Sequence, residues 1–133
     1  MKKKLEIDKI VNYISTSRFY SPLIFTTSNI ESVLMQEEIF GPIVTLYKIS
    51  SKEEAIEICN HTKYGLATSL FTRNKQLQDD ISKQVNVGML FINQVPTSMS
   101  EVPWGGVKAS GFGRDCSIHA LEQFTVPQTV IFE

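Results

Sequence analysis

Apolar side chains in this sequence gather in short runs with strand composition, separated by stretches in which they recur at helical spacing. Residues 43–49 and 66–72 are rich in β-branched and apolar residues, and residues 88–93 are apolar almost throughout. Runs of this length and composition predict strands. The third run is apolar enough to predict a strand buried on both faces of its sheet.

The intervening stretches carry helix signals. Ser51 followed by Glu54 is a capping box, which predicts a helix from there to about Asn60. Apolar residues four apart over residues 77–85 predict a second helix, and residues 115–124 predict a third. Strands and helices that alternate with short links predict an α/β fold, in which a parallel sheet with right-handed crossovers is flanked by helices.

The two ends of the chain carry further signals. Residues 5–14 place apolar side chains on one face and predict a short amphipathic helix. Residues 19–25 predict an extended segment interrupted by Pro22, and Asn29 is predicted to cap a turn. Residues 129–132 predict a terminal strand. No repeat or linker interrupts the chain, so we predict one domain.

Composition narrows the function classes. The chain has 133 residues, of which 42% are hydrophobic and 20% charged, as in ordinary globular proteins. Its formal net charge of -1 gives no electrostatic footprint for nucleic acid or an acidic membrane. No apolar run approaches the ~18 residues of a membrane span, and Lys2 to Lys4 do not lead into a signal peptide. We therefore expect a cytoplasmic protein with no nucleic-acid or membrane partner.

Candidate nucleophiles and metal ligands are few in this sequence. Cys59 and Cys116 lie far apart with no CxxC spacing, which indicates neither a metal site nor a disulfide framework. His61 and His119 lack ligand spacing, and each is more typical of a surface or helix-end histidine than of a catalytic one. The sequence also contains no nucleophile elbow and no P-loop. We expect no metal site in this chain.

Residues 37–42, with the sequence EEIFGP, form a segment that we call the acidic turn. Its carboxylates can accept hydrogen bonds from hydroxyl groups, and Phe40 offers a flat apolar face. Gly41 and Pro42 turn the chain and hold these groups in place. The combination suits a sugar attached to a planar heterocycle. The alternative is an exposed acidic helix end followed by a core phenylalanine and a turn.

The last third of the chain changes character. Residues 94–103 have the composition of a loop, and residues 104–114 are rich in glycine around Trp104, the single tryptophan of the chain. This arrangement favours an aromatic ring fixed over a cavity, although glycine-rich runs are commonly tight surface turns. The glycine spacing is not that of a dinucleotide-binding fingerprint, because no GxGxxG follows a strand.

Four separated motifs together resemble the C-terminal part of an aldehyde dehydrogenase: EEIFGP at 37–42, EEAIEICNHTKYGLATSLFT at 53–72, GMLFIN at 88–93 and PWGGVKASGFGRD at 103–115. The resemblance runs from about Tyr20 to the end of the chain. It implies oxidation of an aldehyde to a carboxylic acid with NAD or NADP as cofactor. It also divides the single partial domain of residues 1–133 into an unplaced segment (1–18), a catalytic-domain portion (19–128) and a terminal strand of the oligomerisation type (129–133), as in a homo-oligomer.

The resemblance also implies roles for matched residues. Glu38 stands where the family binds the nicotinamide ribose hydroxyls, and Phe40 where an aromatic packs beside the nicotinamide. Trp104 matches an aromatic that lines the aldehyde tunnel, and residues 94–102 match the loop that selects the substrate. Within that loop, Ser98 favours an acid-bearing aldehyde, whereas the setting of Trp104 resembles betaine-aldehyde-type enzymes. Both alternatives stay open, as does the choice between NAD and NADP.

The departures from the family pattern concern catalysis. In such enzymes the cysteine nucleophile, the glutamate base and the oxyanion asparagine precede the acidic turn, as does the Rossmann-like domain. Cys59 lies on the apolar stripe of a predicted helix, and Cys116 stands where the family has an apolar residue. The resemblance therefore implies that this chain supplies no catalytic residue and is inactive alone, as a split gene product or a truncated remnant would be, and that a complementing chain with the cofactor domain and the cysteine is a possible partner.

Two other hypotheses remain. The chain could be a non-catalytic oligomerisation or partner-binding remnant of the same fold, which the missing nucleophile would explain. An unrelated nucleotide-binding α/β domain would require the motif matches to be accidental. Whether the chain is a fragment of an aldehyde dehydrogenase or a non-catalytic remnant of that fold, its uncovered parallel strands and open edge predict self-association when it is expressed alone.

Overall fold

A computed structural model of the chain describes residues 21–133. The predicted helix at residues 5–14 and the unplaced segment 1–18 lie outside the described residues. The chain divides into two compact units, Met1–Lys48 and Ile49–Glu133, and each is described by itself. The assignment of residues 1–133 to a single partial domain stays a prediction.

The described part of the first unit is a strand–helix–strand arrangement. Strand β1 spans Leu23–Thr27, helix α1 spans Val33–Gln36 and strand β2 spans Ile43–Tyr47. The two strands are parallel, with Leu23 opposite Ile43 and Thr27 opposite Tyr47. Asn29 accepts the amide hydrogen of Glu31 through its side-chain oxygen at 3.0 Å, so the predicted turn is present before α1.

Among the described residues, most helices belong to the second unit. Its elements are helix α2 (Lys52–His61), strand β3 (Ala67–Leu70), helix α3 (Lys75–Ser82), strand β4 (Met89–Ile92), a 3₁₀ turn (Lys108–Ser110) and helix α4 (Ser117–Gln123). The predicted capping box is formed, because the Ser51 hydroxyl accepts the amide hydrogen of Glu54 at 3.1 Å and the Glu54 carboxylate accepts that of Ser50 at 2.6 Å. Strands β3 and β4 are parallel, from Ala67 opposite Met89 to Leu70 opposite Ile92.

The predicted α/β class with parallel strands and flanking helices is confirmed, but the predicted single sheet is wrong for the described residues. They form two two-stranded sheets, β1 with β2 and β3 with β4. Helix α1 links the first pair and α3 links the second, whereas α2 leads from β2 to β3 without pairing them. Alternation of strands and helices predicts parallel pairing, but it does not determine which strands become neighbours.

The predicted terminal strand is not formed, since residues 125–133 adopt neither helix nor strand. Ile131 and Phe132 have side chains that favour strands, but they are 88% and 86% exposed and pair with no strand of the described residues. The predicted helix at 77–85 begins and ends earlier, at Lys75 and Ser82. Its start is fixed by the Asn74 side chain, which caps the first turn.

Burial is shallow across the described residues. None of their large side chains is fully buried, and both β3 and β4 are only half-buried along their whole length. The prediction that β4 is buried on both faces is therefore met only in part. Many large apolar side chains are exposed, among them Phe40, Phe112 and Phe124. A parallel sheet normally has both faces covered, so this surface is typical of a fold that is not complete by itself.

Candidate functional site

The acidic turn connects α1 to β2 in the first unit. Two tight hydrogen bonds shape it, because the Gly41 amide donates to the Ile39 carbonyl at 2.9 Å and the Ile43 amide to the Gly41 carbonyl at 2.8 Å. Ile39 is half-buried, whereas Glu38 is exposed and Phe40 is 92% exposed. The turn therefore presents a carboxylate and an aromatic ring outward at positions 38 and 40, while the half-buried Ile39 lies between them.

The glycine-rich segment of the second unit is held at both ends by backbone hydrogen bonds. Trp104 and Asp115 exchange two of them, at 2.8 and 2.7 Å, and form an isolated antiparallel bridge. Inside this loop the Arg114 guanidinium donates to the carbonyls of Gly106 at 2.9 Å and Gly113 at 2.6 Å. The Trp104 ring is therefore carried by a fixed backbone rather than by a free loop tip.

Lys108 and Ser110 join this segment to helix α2 and to the loop that follows it. The Lys108 ammonium donates to the carbonyls of Asn60 at 2.9 Å and Thr62 at 3.1 Å, which lie at the carboxyl end of α2. A cation there also complements the negative end of the helix dipole. The Ser110 hydroxyl accepts the Gly65 amide hydrogen at 2.9 Å. Lys108 adopts a left-handed backbone conformation, with φ 56, which is uncommon for a residue other than glycine.

Gly88 lets the glycine-rich segment approach β4 closely. A methyl group at Gly88 would overlap the carbonyl of Gly105 and come within 2.9 Å of the Gly106 α-carbon. Only a residue without a side chain fits at this contact. The start of β4 and the segment that carries Trp104 are therefore in backbone contact.

A cavity of about 560 Å³ lies beside β4 in the second unit. Its walls are Gly88, Met89, Leu90, Phe91, Ile92, Gln94, Thr97, Met99, Val102, Pro103, Trp104 and Arg114. Trp104, which the sequence predicts to lie over a cavity, lines this one. Nine of the twelve lining residues are apolar or glycine, and the other three, Gln94, Thr97 and Arg114, bring polar groups to the walls. Apolar walls with a small number of polar side chains are typical of sites for small organic molecules.

Ser98 does not line the cavity, although its neighbours Thr97 and Met99 do. Its hydroxyl lies 3.8 Å from the Cys116 sulfur on the exposed side of the loop. The loop is tied to the start of α4 by the Ser117 amide, which donates to the Ser100 carbonyl at 2.7 Å. The Ser100 hydroxyl donates to the Glu101 carboxylate, and this bond lowers the pKa of Glu101 from its ordinary value.

The remaining candidate groups belong to two helices of the second unit. Cys59 is half-buried within α2, His61 ends that helix, and His119 lies in α4 with its Nδ1 3.5 Å from the Glu122 carboxylate. Among residues 21–133, no group of three or more histidine, cysteine or acidic residues is arranged to hold a metal ion. No helix in the same residues combines the length and apolar character needed to cross a membrane.

The sequence did not predict two side chains that join distant segments of the chain by hydrogen bonds. One is Lys108, whose partners lie more than forty residues earlier. The other is Asn93. Its side-chain oxygen accepts the Thr72 amide hydrogen at 2.9 Å, and its side-chain nitrogen donates to the Thr72 carbonyl at 3.0 Å. These two bonds join the segment that follows β3 to the residue that follows β4. An asparagine directly after an apolar strand is a usable signal for such a link, because it tolerates the left-handed backbone found here, φ 56.

The chain is similar to known proteins in sequence and in fold. The model of the aldehyde dehydrogenase family matches residues 7–130. The chain is 38% identical to betaine aldehyde dehydrogenase of Bacillus subtilis over 107 residues, which is 80% of this chain. It is similar in structure to succinic semialdehyde dehydrogenase from Streptococcus pyogenes in complex with NADP+, with TM-score 0.75 and 39% identity over 80% of this chain. It is also similar to betaine aldehyde dehydrogenase from Staphylococcus aureus in complex with NAD+, with TM-score 0.77 and 31% identity over 84% of this chain.

These proteins are much longer than the matched region. The chain spans 22% of the Bacillus subtilis protein, 23% of the Streptococcus pyogenes chain and 24% of the Staphylococcus aureus chain. Less than a quarter of each known fold therefore has a counterpart in this sequence.

Proposed function

This chain belongs to the aldehyde dehydrogenase family, and from that premise we propose that it forms the part of an NAD(P)-dependent enzyme that orients the nicotinamide and walls the aldehyde site. The observation that carries the proposal is the outward pair in the acidic turn. Glu38 and Phe40 are both exposed on a turn with two internal hydrogen bonds. A carboxylate beside an apolar ring suits a ribose joined to a planar heterocycle.

The chemistry of NAD or NADP, when bound, is acceptance of a hydride from the substrate. The residues of this chain would act on it only by position. The Glu38 carboxylate would accept hydrogen bonds from the ribose hydroxyls, and the Phe40 ring would pack beside the nicotinamide. Orientation of reacting groups accounts for a large share of enzymatic rate enhancement, so a small displacement here lowers the turnover number.

The aldehyde side of the proposal rests on the second unit. Trp104 lines an apolar cavity on a backbone fixed by Asp115 and Arg114. Ser98 belongs to the same loop, but its hydroxyl points toward Cys116. We assign Trp104 to the wall of the aldehyde tunnel and Ser98 to its outer rim. The substrate is either an acid-bearing aldehyde or a betaine-type aldehyde, and relatives of both kinds support keeping the two classes.

The chain supplies no nucleophile in this proposal. Cys59 is half-buried inside a helix, and the Cys116 sulfur lies 3.8 Å from the Ser98 hydroxyl, which is not a base that could take its proton. The reactive thiol, the general base and the cofactor domain would come from the rest of the fold, on a separate chain or on the same polypeptide. We expect the enzyme to be a homo-oligomer in the cytoplasm.

A chimera tests the proposed role of the acidic turn. In it, this chain replaces the matched stretch of the Bacillus subtilis betaine aldehyde dehydrogenase, and formation of NADH is followed with betaine aldehyde and with succinate semialdehyde. The Glu38→Gln variant should lower kcat/KM for NAD by about 10 to 100-fold, because an amide is a weaker acceptor for two hydroxyls than a carboxylate. Glu37→Gln is the matched control and should stay within about threefold of the parent.

The second candidate, a non-catalytic oligomerisation or partner-binding module, is favoured by the large exposed apolar side chains. It predicts that the chimera folds and assembles but forms no NADH with either aldehyde. Equal effects of Glu38→Gln and Glu37→Gln in an active chimera would refute the assignment of Glu38 without touching the rest of the proposal.

A further inference from the structure

The loop of residues 94–102 is attached to the fold near its two ends. Each of its residues is exposed. Within the described part of the chain, no backbone hydrogen bond joins residues 94–98 to another element. Near the far end of the loop, the Ser100 carbonyl accepts the Ser117 amide hydrogen at 2.7 Å. The position of residues 94–98 therefore depends on how the chain leaves strand β4, and it does so at Asn93.

Hydrogen bonds from both the backbone and the side chain hold Asn93. Its backbone amide donates to the Leu70 carbonyl at 2.8 Å. Its side-chain oxygen accepts the Thr72 amide hydrogen at 2.9 Å, and its side-chain nitrogen donates to the Thr72 carbonyl at 3.0 Å. The backbone of Asn93 is left-handed, with φ 56, which ends the extended course of the strand. The side chain thus fixes the direction in which the loop begins.

The Thr72 peptide is itself held in place by helix α3. The Thr72 carbonyl also accepts a hydrogen bond from the Gln78 side-chain amide at 2.8 Å. Gln78 is 8% exposed, and no other polar or charged side chain of the described residues is buried. A buried amide group keeps its hydrogen-bond partner, because an unpaired one would pay the full cost of its desolvation. A path of short contacts therefore runs from α3 through Thr72 to Asn93, directly before the loop.

The loop that begins after Asn93 carries part of the wall of the aldehyde cavity. Its lining residues are Gln94, Thr97, Met99 and Val102. Aldehydes share the reacting carbonyl group and differ in their tails, so wall residues distinguish one aldehyde from another. We propose that Asn93 is a positioning residue for aldehyde selection, which acts through the Thr72 peptide by fixing the start of this loop. The inference rests on the proposed function, in which the cavity receives the aldehyde.

A merely structural role of Asn93 predicts a different result. Loss of its side-chain bonds would then lower the stability of the fold and impair the use of NAD and of both aldehydes alike. Glu38 and Phe40, which we propose to bind the cofactor, belong to the first unit, whereas Asn93 belongs to the second. A change confined to the loop should alter the choice between aldehydes and leave the KM for NAD unchanged.

The Asn93→Gly variant of the Bacillus subtilis chimera tests the proposal. Glycine adopts the left-handed backbone without strain, so the variant removes the two side-chain bonds alone. The KM for betaine aldehyde or succinate semialdehyde should rise by about tenfold. The ratio of the two kcat/KM values should change by about fivefold or more, with the KM for NAD within about twofold of the parent chimera.

The Asn60→Ala variant is the matched control. The Asn60 side chain also makes two hydrogen bonds to backbone groups, with the Gln84 carbonyl at 2.8 Å and the Asn86 amide at 2.7 Å. These bonds join helix α2 to the segment before β4 and do not involve the loop. The control should lower the urea midpoint, but it should leave the ratio of the two kcat/KM values within about twofold of the parent chimera.

Amide exchange in the chain itself tests the contact without any activity. The Thr72 amide should exchange slowly in the parent chain and about tenfold or more faster in Asn93→Gly. Equal exchange in the two proteins would show that Asn93 does not hold Thr72 and would overturn the inference. If the glycine variant does not fold, Asn93→Asp replaces it, since aspartate keeps the acceptor and loses the donor. It should change the ratio of the two kcat/KM values by about twofold or more.

The outcomes separate this inference from the proposed function. An active chimera whose ratio of kcat/KM values is unchanged in the Asn93 variants would overturn the inference and keep the proposed function. Equal losses for NAD and for both aldehydes would assign Asn93 a structural role and overturn the inference as well. An inactive parent chimera would overturn the proposed function, and this inference with it.

Discussion

Replacement of Lys108 by methionine removes the link between the glycine-rich segment and helix α2 while keeping a side chain of similar length. The ammonium donates to the Asn60 and Thr62 carbonyls at 2.9 and 3.1 Å, and both oxygens belong to the end of α2, where carbonyl groups have no helical partner. In Lys108→Met these two acceptors lose a charged donor, and the helix end loses a favourable charge.

The size of the effect follows from these contacts. A hydrogen bond to a charged group contributes about 1.5 to 3 kcal/mol, and a cation at a helix end about 0.3 to 1 kcal/mol. Lys108 is half-buried, so water can replace part of what is lost. We therefore expect a loss of about 2 to 4 kcal/mol in the free energy of unfolding, a large fraction of the roughly 5 to 15 kcal/mol of an ordinary domain.

Urea unfolding followed by circular dichroism measures this difference, with Lys75→Met as the matched control. Lys75 is exposed at the start of α3, and its replacement should change the unfolding free energy by at most about 0.5 kcal/mol. The two variants should differ in midpoint by about 1 M urea or more. Equal midpoints would show that Lys108 does not hold the glycine-rich segment to α2, and the fixed placement of Trp104 would then need another cause.

Two further predictions concern close packing and charge. Gly88→Ala should destabilise the chain by about 3 kcal/mol or more, because the added methyl group would overlap the Gly105 carbonyl. The control Gly41→Ala has nothing within 4 Å of the added methyl group and should be neutral or stabilise the chain by up to about 1 kcal/mol. Equal urea midpoints for the two variants would contradict the contact between β4 and the glycine-rich segment. The hydrogen bond from the Lys52 ammonium, followed by that from the Gln76 amide, lowers the pKa of Asp80 from its ordinary value of 3.8. The Asp80→Asn variant should therefore be less stable than the parent above pH 3.8, and the difference should shrink as the pH falls below 3.8. A stability difference between parent and Asp80→Asn that grows on acidification would refute this sign.

The features that the sequence predicted well are local ones. The capping box at Ser51 joins residues three apart, so composition and spacing suffice to place the start of α2. The acidic turn is equally local, and its outward Glu38 and Phe40 follow from the tight turn at Gly41 and Pro42. The roles of those two residues in binding a cofactor stay predictions, as do those of Ser98 and Trp104.

The features that the sequence did not predict depend on distant or absent neighbours. Lys108 is an ordinary lysine in sequence, and its function as a link appears only when the fold brings it to the end of α2. The pairing of β2 with β1 rather than with β3 depends on tertiary contacts that composition and spacing do not encode. Residues 129–132 have strand composition but form no strand, because none of the four strands in the described residues pairs with them.

The central claim is that this chain provides walls of a dehydrogenase site while the reactive thiol lies in the rest of the fold. The most direct measurement is formation of NADH or NADPH by the purified chain alone and by the Bacillus subtilis chimera, with both aldehydes and both cofactors. We predict no turnover by the chain alone and turnover by the chimera. Turnover by the chain alone, abolished by Cys116→Ser, would contradict the claim and place the nucleophile within these 133 residues.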